Sequence, residues 1–152
     1  RGKWYEYSWK GDETKSGGIA TNIGVHFFDM LGFIFGDLQE NIVHSSEDTS
    51  AAGYLEYQNA RVRWFLSVDY QNIPNHIKEK GQRTFRSISI DGEELEFSDG
   101  FTDLHRLSYE RILDGNGFGL DENRAAIETV SNIRNSNPIG LKGNYHPFLK
   151  RK

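Results

Sequence analysis

At 152 residues the chain has the usual length of one domain, long enough to bury a core, so a single domain over residues 1–152 is expected. Its net charge of −4 offers no basic field for phosphate backbones, which argues against nucleic acid as a partner. With no cysteine, disulfides and thiolate metal sites are excluded, a pattern that suits the cytoplasm, and the five histidines lack the i, i+4 pairing of a dedicated metal site.

In chain order, residues 4–9 alternate aromatic and polar side chains (Trp4, Tyr5, Glu6, Tyr7, Ser8, Trp9), which fits a strand or an aromatic approach to a site. Residues 10–15 read as a polar loop, and Gly17-Gly18 marks a close backbone approach. A helix follows, with Ser16 or Asn22 as its cap and Gly36 just past its end. Its apolar residues Ile23, Val25, Phe27, Phe28, Met30, Leu31, Phe33, Ile34 and Phe35 leave no side for solvent, which predicts an interior helix. Residues 23–35 fall short of the roughly 20 needed to span a bilayer, so no membrane partner is expected.

Within that helix Asn22, His26 and Asp29 recur at spacings of four and three and share a face. Two readings of the row stand open. In one, His26 is a core histidine held by Asp29 or a backbone carbonyl. In the other, the row lines a cavity and His26 is a general base, since imidazole titrates near neutral pH.

Beyond the helix, residues 42–44, 51–57 and 61–70 read as strands, the last two joined by a turn at 58–60. In the third, Val62, Trp64, Leu66, Val68 and Tyr70 alternate with Arg63, Phe65, Ser67 and Asp69. One face should pack on helices. The mixed opposite face should lie open to water or to a second copy, which predicts a homo-oligomer. Residues 72–81 read as a polar connection, and Asp91-Gly92 predicts a hairpin between 83–90 and 93–97. Thr102 is expected to cap an amphipathic helix to Gly115, and Asp121 another to about Asn135. Asn137-Pro138 should end the helical part, with Lys150-Arg151-Lys152 a solvated tail.

This order argues an α+β domain: an open, mainly antiparallel β-sheet with helices on one face. Gly115-Asn116-Gly117-Phe118-Gly119 follows a helix and has the wrong spacing for a dinucleotide fingerprint, so no cofactor-binding residue is assigned.

The segment Ser16-Gly17-Gly18 through Asn22-Ile23-Gly24-Val25-His26-Phe27-Phe28-Asp29 resembles the substrate-domain signature of the Gfo/Idh/MocA oxidoreductases, in which a glycine pair precedes Asp-x-Gly-x-His-x-x-Asp. The resemblance spans essentially the whole chain. It implies the dihydrodipicolinate reductase-like C-terminal domain of a two-domain oxidoreductase. Its N-terminal Rossmann domain, which would bind NAD and supply the family's lysine, lies outside this chain. The opening Arg1-Gly2-Lys3-Trp4, with no methionine, fits a piece of a longer protein. By the resemblance His26 corresponds to the catalytic histidine and Asp29 to the second motif carboxylate, while Asn22 stands where many members carry aspartate. An amide there can hydrogen-bond a hydroxyl but cannot charge-stabilise a protonated His26.

The runs at residues 2–12, 83–88 and 101–105 are similar to the family's nucleotide-sugar branch, which oxidises UDP-N-acetylglucosaminuronate in lipopolysaccharide and O-antigen synthesis. A UDP-sugar uronate carries a diphosphate and a carboxylate that need cations. Lys10, Lys15, Arg83 and Arg86 are the candidates, each weighed against the commoner fate of a solvated surface charge. Tyr5, Tyr7 and Trp9 are candidates to stack on a base or sugar, weighed against filling a core edge. The fragment alone should be inactive. A family member acting on a free sugar or inositol, and a non-catalytic sugar-binding or assembly module, remain as alternatives.

Overall fold

A computed structural model describes residues 4–98 and 103–151. In chain order it contains α1 (Trp4–Tyr7), α2 (Glu13–Ser16), a π-helical turn (Ala20–Gly24), α3 (Val25–Phe35), β1 (Leu38–Glu47), β2 (Ser50–Tyr57), β3 (Arg61–Ser67), a 3-10 turn (Tyr70–Asn72), α4 (Asn75–Lys78), β4 (Ser87–Ile90), β5 (Glu93–Glu96), α5 (Leu104–Leu113), α6 (Leu120–Asn135) and a 3-10 turn (Pro147–Arg151). The elements fall into two compact units, residues up to 72 together with 121 onward, and residues 73–120.

The first unit is built on a three-stranded antiparallel sheet in the order β1-β2-β3. Period-two alternation places Val43, Ala51, Leu55, Tyr57 and Trp64 in one core with Ala20, Phe28 and Leu31 from the helix and Val130 and Ile133 from α6. Both helical segments therefore join the sheet in a single apolar core, as the α+β reading predicts. The Trp64 ring meets Phe28 edge-on, centroids 5.4 Å apart. Gly53 makes room for this: a Cβ there would stand 2.5 Å from the Ile42 carbonyl oxygen and 2.7 Å from the Trp64 ring. On α6 the buried residues Ala126, Thr129, Val130 and Ile133 follow helical spacing, whereas Ile127 is exposed.

Strand β1 is more than twice as long as its apolar core at 42–44 suggested. Its flanks carry Gln39, Glu40, Ser45 and Ser46, which give no strand pattern, and pairing with β2 holds them extended. Strand β3 stops at Ser67, and Tyr70 enters a 3-10 turn instead of continuing the face.

The expectation of an open outer sheet face needs correction. The Ile139 and Gly140 N–H groups donate to the Val43 and His44 carbonyls, and the following chain folds onto the sheet. His44 is buried, its Nε2 donates to the Lys142 carbonyl at 2.9 Å, and Tyr145 meets its ring edge-on. His146 stacks on Phe65, and Phe148 packs against it edge-on. Three aromatic residues in the tail find aromatic partners on that face, so part of it is covered by the chain itself. Of the expected solvated tail, Lys150 is exposed, its ammonium 5.4 Å from the centre of the Tyr145 ring, while Leu149 just before it is buried.

The helix prediction also changes. Residues 4–7 form a helical turn, not a strand. Helical turns continue from Glu13 to Phe35, a stretch long and apolar enough, by length and composition, to cross a membrane, which the shorter segment at 23–35 had not suggested. It is not one straight helix. Gly17 (φ 74°) and Gly18 (φ 77°) take left-handed conformations that end α2, and the Ser16 hydroxyl accepts the Gly18 N–H to begin the next turn. Asn22 is no cap, because it lies inside the π-turn. Gly36 does end the helix, as predicted. The predicted burial on every side fails as well: Phe33 and Ile34 are 89% and 56% exposed, and His26 and Asp29 are exposed beside them. Only the side bearing Phe28 and Leu31 is sealed by the sheet.

In the second unit, Asp91 (φ 50°) and Gly92 (φ 90°) form the predicted turn, with both central residues at positive φ as the right-handed strand twist demands. The hairpin forms a separate two-stranded sheet, so the five strands do not make one open sheet. Residues 75–78 within the expected polar connection form a single helical turn. The predicted Thr102 cap lies outside the described residues, as do Gly2, Lys3 and Phe101. All of α5 is exposed. Asp121 sits inside the first turn of α6 and pairs with Arg124, two residues past the cap position.

Candidate active site

The helix start is shaped by its glycines. A Cβ on Gly17 would stand 2.6 Å from Thr21 Oγ1 and 3.0 Å from the Arg134 guanidinium, so Gly17 brings α6 and the helix start into close approach. The π-turn follows at once. A π-turn widens the helix and reorients its backbone groups, a deviation that recurs at functional sites.

Asn22 sits in that turn, half-buried. Its Nδ2 donates to the Gly18 carbonyl at 3.2 Å and to the Lys10 carbonyl at 3.3 Å. Both neighbours are acceptors only, so the position calls for a two-hydrogen donor. An aspartate would set a carboxylate against two carbonyl oxygens. This is a physical reason for asparagine where the related motif has aspartate, and it gives Asn22 a positioning task.

Four residues on, His26 stands in the first turn of α3 with its ring exposed and with no hydrogen bond among the described residues. The reading of a core histidine held by Asp29 is therefore not what the structure contains. His26 and Asp29 are both exposed on the described chain. His26, Asp29 and Phe33 form an open stripe at i, i+3 and i+7. The His26 ring there is open to a ligand, and Asp29 stands one turn away on the same exposed stripe.

The cationic candidates separate clearly. Lys15 is already paired: its ammonium lies 2.8 Å from Asp12 Oδ2, and with the Thr14 hydroxyl it holds the Asp12 carboxyl down at about 2. That exposed pair contributes little to stability. Lys10 has no ion pair among the described residues, and its ammonium lies 5.9 Å and 5.7 Å from the centres of the Trp4 and Trp9 rings. It also lines a cleft with Glu13, Gly17, Gly18, Glu47 and Arg134. Arg134 was not singled out from the sequence; its place beside Gly17 arises from packing of distant segments, which spacing does not reveal. Tyr5 is buried, while Tyr7 and Trp9 are exposed.

Arg83 and Arg86 belong to the second unit. Arg83 is exposed. Arg86 closes the hairpin: its N–H donates to Ser98 Oγ and its guanidinium Nη1 to the Ser98 carbonyl at 2.8 Å. Among the described residues no three histidine, aspartate or glutamate side chains gather as ligands for a metal ion.

Residues 1–94 match the C-terminal alpha/beta domain of the Gfo/Idh/MocA oxidoreductases, a stretch that includes the glycine pair, the π-turn, α3 and the whole three-stranded sheet. The chain belongs to the Gfo/Idh/MocA oxidoreductase family. Two solved structures of the WlbA (WbpB) dehydrogenase from Thermus thermophilus agree. One, in complex with NAD and alpha-ketoglutarate, is 53% identical with a TM-score of 0.92. The other, in complex with NAD and UDP-GlcNAcA, is 52% identical with a TM-score of 0.91. Each similarity covers 97% of this chain and 48% of the relative, so this Gfo/Idh/MocA chain spans about half the length of the dehydrogenases it matches.

Proposed function

We propose that the protein containing this chain is an NAD-dependent dehydrogenase that oxidises the 3-hydroxyl of a UDP-sugar uronate, UDP-N-acetylglucosaminuronate being the leading substrate. The observation that carries this reading is the 52% identity, over 97% of the chain, to a dehydrogenase whose complex holds NAD and UDP-GlcNAcA. In this reading the chain is a single substrate and oligomerisation domain, residues 1–152, and a preceding Rossmann domain carries most of the NAD site.

The chain's own surface suits that division. The exposed stripe of His26, Asp29 and Phe33, with Phe33 89% exposed, is an apolar and titratable helix face of the kind that a second domain covers. When bound, NAD supplies the hydride acceptor. His26 acts as the general base: it takes the hydroxyl proton on an imidazole nitrogen while the carbon gives up its hydride, leaving a ketone. Asp29 hydrogen-bonds the sugar or the imidazole, and Asn22 holds the Lys10 segment against the π-turn. Lys10, Arg83 and Arg86 are each candidate cationic substrate contacts, and Lys15 is the weakest candidate because Asp12 already neutralises it.

Such an enzyme would work in the cytoplasm, in lipopolysaccharide and O-antigen synthesis, as a homo-oligomer. The lack of cysteine supports the first, the kind of relative the second, and the part of the outer sheet face not covered by the tail the third. The test is NAD reduction by the full-length protein, followed at the nicotinamide absorbance, across UDP-sugars, UDP-sugar uronates, free sugars and inositol. Reduction confined to a UDP-sugar uronate supports the proposal. Turnover of a free sugar or inositol alone overturns it, and light scattering of the same sample reports the assembly.

A further inference from the structure

Just ahead of the helix that carries His26, two tryptophans and a lysine stand together. Trp4 and Trp9 remain 54% and 58% exposed, large apolar rings left in water. Between them the Lys10 ammonium lies within 6 Å of both ring centres and has no ion pair among the described residues. The backbone that presents them is fixed. Ser8 N–H donates to the Trp4 carbonyl, Asp12 N–H to the Trp9 carbonyl, and Lys10 N–H to Ser8 Oγ. Asn22 then ties the Lys10 carbonyl to the π-turn. A pre-ordered cation flanked by aromatic rings suits a ligand with a planar ring at one end and an anion beside it.

We propose that Trp4, Trp9 and Lys10 form the nucleotide subsite of this domain, the pyrimidine ring stacking on tryptophan and the diphosphate pairing with Lys10. The assignment rests on the nucleotide-sugar reading above and says which part of the chain holds the nucleotide. Base stacking on an aromatic side chain is tolerant of geometry and strong enough to be measured singly. The ammonium supplies the charge that stacking lacks. A neutral sugar ring lying on the same tryptophans would gain no charge pairing from Lys10, so UDP separates the two ligands.

The experiment uses the full-length protein with NAD saturating, so that UDP does not occupy the dinucleotide site. Binding of UDP is measured by calorimetry, and kcat and KM by NAD reduction with UDP-N-acetylglucosaminuronate. Trp9→Leu and Lys10→Ala should each weaken UDP binding about tenfold and raise KM similarly, with kcat within about twofold of the parent. Trp9→Phe and Lys10→Arg should recover most of the loss, which a purely structural role would not predict. Unchanged UDP affinity and KM in both Trp9→Leu and Lys10→Ala overturn the subsite, even if the enzyme oxidises the UDP-sugar uronate well. UDP binding that is lost in these variants, in an enzyme that oxidises no UDP-sugar, keeps the subsite and overturns the proposed reaction.

Discussion

The side-chain amide of Asn22 donates to the carbonyl oxygen of Lys10 at 3.3 Å, a contact across twelve residues that joins the aromatic N-terminal segment to the π-turn ahead of His26. Its second carbonyl partner, Gly18, lies four residues back, just before that turn. Asn22→Asp should therefore be worse than Asn22→Ala, because the carboxylate faces two acceptors. We expect a loss of about 1–3 kcal/mol for aspartate and about 1 kcal/mol for alanine, measured by urea denaturation of the full-length protein. Equal stability of parent and Asn22→Asp would remove the clamp from this account.

His26 offers a contrast, since it is exposed and makes no hydrogen bond among the described residues. Its replacement should cost activity without stability. For His26→Asn we expect kcat to fall by about 10²–10⁴ and the denaturation midpoint to stay put. Turnover at the parent rate would end the general-base assignment.

Gly53 is fixed by packing. A Cβ there meets the Ile42 carbonyl oxygen at 2.5 Å and the Trp64 ring at 2.7 Å, and the Trp64 ring is locked in turn against Phe28. Gly53→Ala should destabilise the first unit by about 1–3 kcal/mol, visible as a lower Tm with the near-ultraviolet signal of Trp64 altered. An unshifted Tm would mean the sheet yields there at no cost.

Tyr57 gives the pH dependence. Burial pushes its phenol up to about 12, and its hydroxyl has no hydrogen-bond partner among the described residues. Unfolded, a tyrosine loses its proton near pH 10. Between about 10 and 12 the folded chain keeps a proton that the unfolded chain has released, so stability falls as pH rises through that window. Below it Tyr57 contributes no slope. Tyr57→Phe should leave stability near neutral pH equal or higher and should flatten the alkaline loss, compared by urea denaturation at about pH 8 and about pH 11. An alkaline slope unchanged by the substitution would show that other groups cause it.

Much of the fold is legible in the residue pattern. The Asp91-Gly92 turn follows from two adjacent residues that tolerate positive φ, and the core face of β3 from strict alternation through Trp64. The helix that carries His26 and Asp29, and its stop at Gly36, follow from local spacing and glycine chemistry. These are short-range properties, carried by neighbours in the chain.

Other features came only from distant segments meeting. Side-chain alternation could not foresee that residues 139–148 would close over His44 and Phe65, because hydrogen bonds to Val43 and His44 and aromatic contacts between segments far apart in the chain hold them there. The sequence likewise marked an apolar helix but not which side the sheet would seal, so it placed His26 inside when the described chain leaves it open. Local chemistry determined the elements and the candidate base. Tertiary packing decided their exposure and the Lys10 carbonyl that Asn22 reaches twelve residues away, since burial and long-range contacts depend on what lies across space, whereas the Asp12 partner of Lys15 is a local one.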